Sequence, residues 1–302
     1  IHSNHQSRAK EMSGDRKLNR RPGQARCWLP LLVWAIGWGS GALMESLGMA
    51  QDKSGDQNWE ALYEQGEFRG SGDGLLRYRL LRPAAVAAGQ RYPLVVFLHG
   101  AGERGDDNRA QLVHGLREFA RPDRREKFPA FVIAPQCPRE QKWVDLAWDA
   151  PQHQQPEKPA PSLQLCRELL DRLQTELPID ADRIYLTGLS MGGFGTFDAL
   201  TRWPDQFAAA IPVCGGGDPR PEQVARFRDV PLWVFHGAQD NLVRPERSRE
   251  MVAALKAAGG TPRYTEYPEA GHDSWTATYA DEAVLEWLFS QRRGAAKPHS
   301  GN

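Results

Sequence analysis

Little in this chain is in excess. Its 302 residues carry 38 basic and 38 acidic side chains, a formal net charge of zero, so no field of one sign draws it to nucleic acid or an anionic surface. Four cysteines are too few for a disulfide framework. Cys27 lies ahead of the expected mature start, and Cys137, Cys166 and Cys214 allow at most one bridge with an odd thiol left over. Cys166 and Cys214 fall in apolar patterns and read as buried free thiols. No two Cys or His residues stand at metal-ligand spacing, which argues against a metal site. No internal repeat is visible. The one long apolar segment, Trp28 to Met44, is short for a membrane span and is broken by Gly37, Gly39, Ser40 and Gly41. Basic residues Arg16, Lys17, Arg20, Arg21 and Arg26 precede it, and Gly48-Met49-Ala50 follows. That is the layout of a secretory signal peptide with cleavage after Ala50, an uncleaved anchor being the alternative. Residues before Met12 read as upstream of a natural start. No Cys follows the segment, so a lipoprotein anchor is not expected.

Beyond Ala50 the pattern changes to alternating strands and helices. Pro93 to Leu98 is a continuous apolar run, as in a strand buried on both faces. Phe131 to Ala134, Ile184 to Leu186, Phe207 to Val213 and Leu232 to Phe235 repeat it. Between them, Leu163, Cys166, Leu170 and Leu173 recur at helical spacing. Met251, Leu255 and Ala258 do the same, with Gly259-Gly260 as a stop. Val284, Trp287 and Leu288 mark a last helix. The fold class is α/β: a mostly parallel central sheet flanked by helices. Gly74 to Leu81 adds an antiparallel N-terminal edge hairpin. The charge-rich run Arg121 to Lys127 reads as a solvated loop, and Asp205 and Asp218 as loop residues. The expected division is a leader over 1–50, a polar linker over 51–57, one domain over 58–293 and a flexible tail over 294–302.

Gly188-Leu189-Ser190-Met191-Gly192-Gly193 stands between a strand and a helix. A serine there, flanked by glycines, is the setting of a nucleophile elbow. An elbow serine needs an acid and then a histidine on later loops. His236-Gly237-Ala238-Gln239-Asp240 follows one apolar run, and Arg263 to Tyr267 leads into Gly271-His272-Asp273. A serine hydroxyl becomes a nucleophile when an imidazole takes its proton, and a carboxylate fixes the tautomer of that imidazole. The expectation is Ser190 as nucleophile, His272 as base then acid, and Asp240 as orienting acid. His236 competes for the base but sits at the end of its own strand. Asp273 competes for the acid but adjoins His272. After the first strand, His99-Gly100-Ala101-Gly102 is placed to turn an amide toward a substrate carbonyl. The backbone N–H groups of Ala101 and Met191 are the expected oxyanion donors, with Gly102 as the alternative. His99 reads as a packing residue of that loop.

"VVFLHGAGERGDDN", "GLSMGGFGTFDAL", "FHGAQDNLV" and "GHDSW" together resemble the α/β-hydrolase superfamily. More narrowly, the chain is similar to the bacterial phospholipase/carboxylesterase-like group, often labelled predicted peptidases, which is related to feruloyl-esterase and polyhydroxybutyrate-depolymerase-like esterases. The likeness covers Tyr92 to Gln291. It implies a serine esterase acting through an acyl-enzyme on a small-molecule or polymer-linked carboxylic ester, without metal or organic cofactor. A serine peptidase on the same residues and a non-catalytic hydrolase-fold binder are the alternatives. Secretion or periplasmic export is the expected localisation, with no nucleic-acid partner.

Between Ala134 and Leu163 lies a long irregular stretch rich in Pro, Gln and Trp. Insertions of that length inside a compact domain are usually functional. Trp143, Trp148 and Trp275 are therefore the candidate aromatic wall for a substrate, packing of the insertion being the competing role.

Overall fold

Seven consecutive residues, Tyr92–Leu98, are buried, and so are all six of Phe131–Gln136. Such runs leave no polar face for water, so each becomes an interior strand with helices on both sides. The computed structural model describes residues 58–294 apart from Ser71, Asp73 and 148–152. The leader through Ala50, the linker, Trp148 and the tail after Gly294 lie outside the described residues. Among the described residues no helix is long and apolar enough to cross a membrane.

The strands in chain order are β1 Tyr63–Arg69, β2 Leu75–Leu81, β3 Tyr92–Leu98, β4 Phe131–Gln136, β5 Ile179–Leu189, β6 Ala209–Val213, β7 Trp233–Gly237 and β8 Arg263–Tyr267. They form one eight-stranded sheet in the order β1-β2-β4-β3-β5-β6-β7-β8. β1 with β2 and β2 with β4 are antiparallel, and every pair from β4 onward is parallel. The expected hairpin is therefore present, its first arm being β1. The helices are α1 Leu116–Ala120, α2 Pro122–Lys127, α3 Pro161–Glu176, α4 Met191–Arg202, α5 Pro221–Val224, α6 Glu246–Ala257, α7 Trp275–Ala280 and α8 Glu282–Ser290.

Side chains alternate along β3, and the two faces feed separate cores. Leu94, Val96 and Leu98 pack with Leu169 of α3, Phe197 of α4 and Leu255 of α6. Val95 and Phe97 pack with Phe119 of α1, Tyr279 of α7 and Leu288 of α8. Cys137, Cys166 and Cys214 are buried and free.

The charge-rich run departs from its reading as a solvated loop. Pro122–Lys127 is α2, started by a proline at its first turn. Arg124 is buried: its guanidinium donates to Tyr279 O at 2.6 Å and Ala280 O at 2.5 Å, and pairs with Glu118 at 3.0 Å. Those carbonyls are the unpaired end of α7, so the arginine caps a helix C-terminus.

Candidate active site

β5 ends at Leu189 and α4 begins at Met191, leaving Ser190 alone in the turn. Its backbone takes φ 53° and ψ −116°, a strained conformation for a residue with a Cβ, held by the structure around it. Ser190 N donates to Val213 O at 3.0 Å, and Phe194 N returns to Ser190 O at 3.1 Å. The glycines permit close approach. A Cβ on Gly188 would stand 2.8 Å from Leu98 O, and one on Gly193 would be 3.0 Å from Gly215 Cα. The elbow thus wedges between β3 and β6, and only hydrogen side chains fit there.

Asp240 and His272 arrive from the ends of β7 and β8. His272 Nε2 lies 3.0 Å from Ser190 Oγ, and His272 Nδ1 lies 2.7 Å from Asp240 Oδ2. Asp240 is buried, and its other oxygen accepts the amides of Leu242 at 2.8 Å and Val243 at 2.9 Å. Burial pushes the Asp240 carboxyl up, but hydrogen bonds from His236, His272, Val243 and Leu242 outweigh it and hold the group well below the usual carboxylate range. The acid therefore stays ionised and accepts the Nδ1–H, which leaves Nε2 bare toward the serine. Asp273, the competing acid, is engaged elsewhere: it accepts from Thr276 N at 3.0 Å and Thr276 Oγ1 at 2.9 Å.

Ser190 and His272 open onto a pocket of about 340 Å³. The loop after β3 supplies Gly100, Ala101 and Gly102 to one wall. Ala101 begins a short 3-10 turn, Ala101–Glu103, and Met191 begins α4, so neither amide has a carbonyl one turn behind it to bond. The Met191 side chain is buried in the core beneath the elbow. His99 sits behind the loop: Cys137 N donates to its Nε2 at 2.9 Å, and Nδ1 reaches Gly100 O at 2.6 Å. Burial pushes its pKa down to about 4, so it is a neutral strut.

The three tryptophans separate. Trp275 lines the pocket, edge-on to His272 at 5.2 Å and tilted against His114 at 5.1 Å. Its Nε1–H is buried with no acceptor among the described residues. Trp143 is a correction: it is wholly buried, donates Nε1–H to His99 O at 3.0 Å and stacks edge-on to His99 at 5.3 Å. It lies in the core beneath the loop after β3, with no surface to offer a substrate. Trp143→Ala is expected to lower stability by about 3–5 kcal/mol, read as a fall of roughly 10 °C in Tm. KM for a hydrolysed ester should hardly move.

Two pocket residues escaped the sequence reading. Glu103 and His114 line it, with His114 Nε2 3.7 Å from Glu103 Oε1. A methyl group placed on Gly100 would meet both Glu103 Oε2 at 2.9 Å and Ser190 Cβ at 3.6 Å, so this carboxylate stands near Ser190. Only its place one residue past Gly102 hinted at that. Leu189, Leu242 and Val243 complete an apolar side.

Among the described residues one group has metal-ligand atoms close together: Cys214, Asp240 and His272, within 4.8 Å. Burial raises the Cys214 thiol far above its ordinary value, so it is not a thiolate. Asp240 and His272 bond each other, which leaves no open ligand set.

The family described as phospholipase/carboxylesterase matches residues 84–282. A thermostable esterase of known crystal structure is 42% identical, with 78% of this chain and 64% of that chain covered and a TM-score of 0.72. A probable carboxylesterase of Oryza sativa subsp. japonica is 26% identical over 238 residues, 70% of this chain and 95% of that protein. A bifunctional acetylxylan esterase/xylanase of Neocallimastix patriciarum is 34% identical over 76 residues, 25% of this chain and 11% of that protein. The chain thus spans less than two thirds of the thermostable esterase and a small part of the bifunctional enzyme.

Proposed function

Because the chain belongs to the phospholipase/carboxylesterase family of the α/β-hydrolases, we propose that it hydrolyses carboxylic esters with Ser190 as nucleophile. The observation that carries this is the continuous chain Ser190 Oγ, His272, Asp240 at 3.0 and 2.7 Å, opening on a pocket. Ser190 Oγ attacks the ester carbonyl while His272 Nε2 takes its proton. The oxyanion is met by the amides of Ala101 and Met191. Their positions, at the start of a turn and of α4, support that role. The alcohol leaves with the proton from His272, and a water activated by the same imidazole hydrolyses the acyl-enzyme. An imidazolium cannot accept the serine proton, so kcat/KM falls on acidification. The basic residues and apolar segment ahead of Ala50 support export as the setting for this chemistry.

The pocket suggests which esters suit it. Its apolar side, with Leu189, Leu242, Val243 and Trp275, fits an acyl chain or an aromatic ring. Glu103 places negative charge near Ser190, which opposes a substrate carrying a carboxylate there. The test is a panel of p-nitrophenyl esters from acetate to laurate, methyl ferulate, and an acyl ester ending in a free carboxylate. Neutral esters should turn over, and the anionic one should be at least about tenfold slower in kcat/KM. Glu103→Gln should narrow that gap. Folded protein that hydrolyses none of the neutral esters would refute the proposed activity.

A further inference from the structure

One residue before the end of β7, His236 has no exposed surface, yet every polar atom of its ring has a partner. Nε2 lies 2.8 Å from Val243 O and 3.3 Å from Asp240 Oδ2. Nδ1 lies 2.7 Å from Ser248 Oγ of α6, which is itself 3.1 Å from Gly215 O. A carbonyl oxygen only accepts, so the proton at Val243 O must sit on Nε2. The Ser248 hydroxyl has one proton, shared between His236 Nδ1 and Gly215 O. Whichever it chooses, Nε2 keeps its own. The same Nε2 stands 3.3 Å from Asp240 Oδ2, the oxygen that accepts the Nδ1–H of His272.

We propose that His236 is a positioning residue for the hydrolytic reaction, a second imidazole donor that clamps the Asp240 carboxylate and aims it at His272. The inference rests on the esterase reading of Ser190 and His272. The loop geometry carries it. Val243 donates its amide to Asp240 Oδ1 at 2.9 Å and takes His236 Nε2–H on its carbonyl, so carboxylate, loop and imidazole close into one ring of bonds. Ser248, fully buried on α6, fixes the far side of the imidazole against the backbone at Gly215.

Glu266 lies opposite His236 in the β7–β8 register, but Arg249 holds its carboxylate at 2.9 and 2.6 Å and Tyr264 also bonds it. Cys214, at the end of β6, carries a thiol raised by burial and brings no charge. Asp240 and His272 remain as the groups that feel His236.

Loss of His236 should free the carboxylate to swing and leave it with one imidazole fewer. Asp240 then holds the proton on His272 more strongly, so His272 turns into imidazolium at a higher pH. For His236→Asn and His236→Phe, kcat should fall about 10- to 100-fold with KM within about threefold, since misaimed groups slow chemistry more than binding. The acid limb of kcat/KM should move upward by about half a unit. His236→Gln, which places an amide N–H near Val243 O, should recover part of kcat. Unchanged kcat and an unchanged acid limb, with only Tm lowered, would overturn the proposal in favour of packing.

Should the ring replacements fail to fold, Ser248→Ala keeps the imidazole and removes its anchor. A smaller kcat loss with the same upward movement is expected, and a wild-type pH profile in that folded variant overturns the proposal as well. The two readings fail differently. Turnover that survives Ser190→Ala ends the esterase reading and this inference together, whereas Ser190-dependent turnover indifferent to His236 ends this inference alone.

Discussion

Ser190→Ala should lower ester turnover by about 10⁴- to 10⁶-fold and leave the chain folded. The separation of the two effects follows from where the side chain is attached. The strain at φ 53° belongs to the backbone and to Cβ, and alanine keeps both. The bonds that hold the turn, Ser190 N to Val213 O and Phe194 N to Ser190 O, are main-chain bonds that survive. The hydroxyl has a single partner, His272 Nε2 at 3.0 Å, and that nitrogen borders the pocket where water replaces it. Stability should therefore change by less than about 1 kcal/mol. Residual activity would come from the oxyanion amides and from binding alone. A fluorophosphonate, which captures an activated serine, should add its mass to the wild type at Ser190 and leave the variant unlabelled. Turnover within tenfold of wild type in a folded variant would remove Ser190 from the chemistry.

Such a sharp prediction was open to the sequence because two kinds of constraint leave marks in it. Strands covered on both faces are apolar along most of their length, so β3 and β6 and the first residues of β4 and β7 show as uninterrupted runs. β5 shows only its central part, since Asp180, Asp182 and Arg183 at its start are polar and meet water or one another. The elbow is written in glycines because backbone passes within contact distance of Gly188 and Gly193. β1 was unreadable for the opposite reason: it is an edge strand in which only Tyr63 and Phe68 are buried, too few to set a period. Arg124 misled because charge in a sequence suggests water, whereas here it meets the carbonyl end of α7. The tryptophans show a further limit. Residue type cannot tell an aromatic wall from an aromatic floor, and Trp143 and Trp275 lie on opposite sides of the same loop's needs. Glu103 and His114 were invisible because their meaning comes from Gly100 bringing one of them near Ser190, an approach with no periodicity.

Asp240→Asn should lower kcat by about 10⁴-fold while the protein stays nearly as stable. The two carboxylate oxygens do different things. Oδ1 accepts the amides of Leu242 and Val243 at 2.8 and 2.9 Å, so an asparagine must place its own carbonyl there. Its NH₂ then occupies the place of Oδ2, facing His272 Nδ1 and His236 Nε2. A donor now confronts donors. His236 keeps its proton for Val243 O, but His272 has an alternative: it moves its proton to Nε2 and accepts the new N–H on Nδ1. In that tautomer Nε2–H points at Ser190 Oγ, and no base is left to take the serine proton. The fold survives because the backbone amides stay bonded. Asp240→Ala removes that acceptor too, leaves both amides unpartnered and should cost about 1–3 kcal/mol of stability in addition. Its kcat, however, should be no lower than that of the asparagine variant by more than a few fold, since both lose the same thing, the correct tautomer. The informative quantity is the pair of values: kcat for Asn and Ala alike, Tm apart. An asparagine variant with kcat near wild type would show that Asp240 only braces the loop, and the proton on His272 would need another keeper.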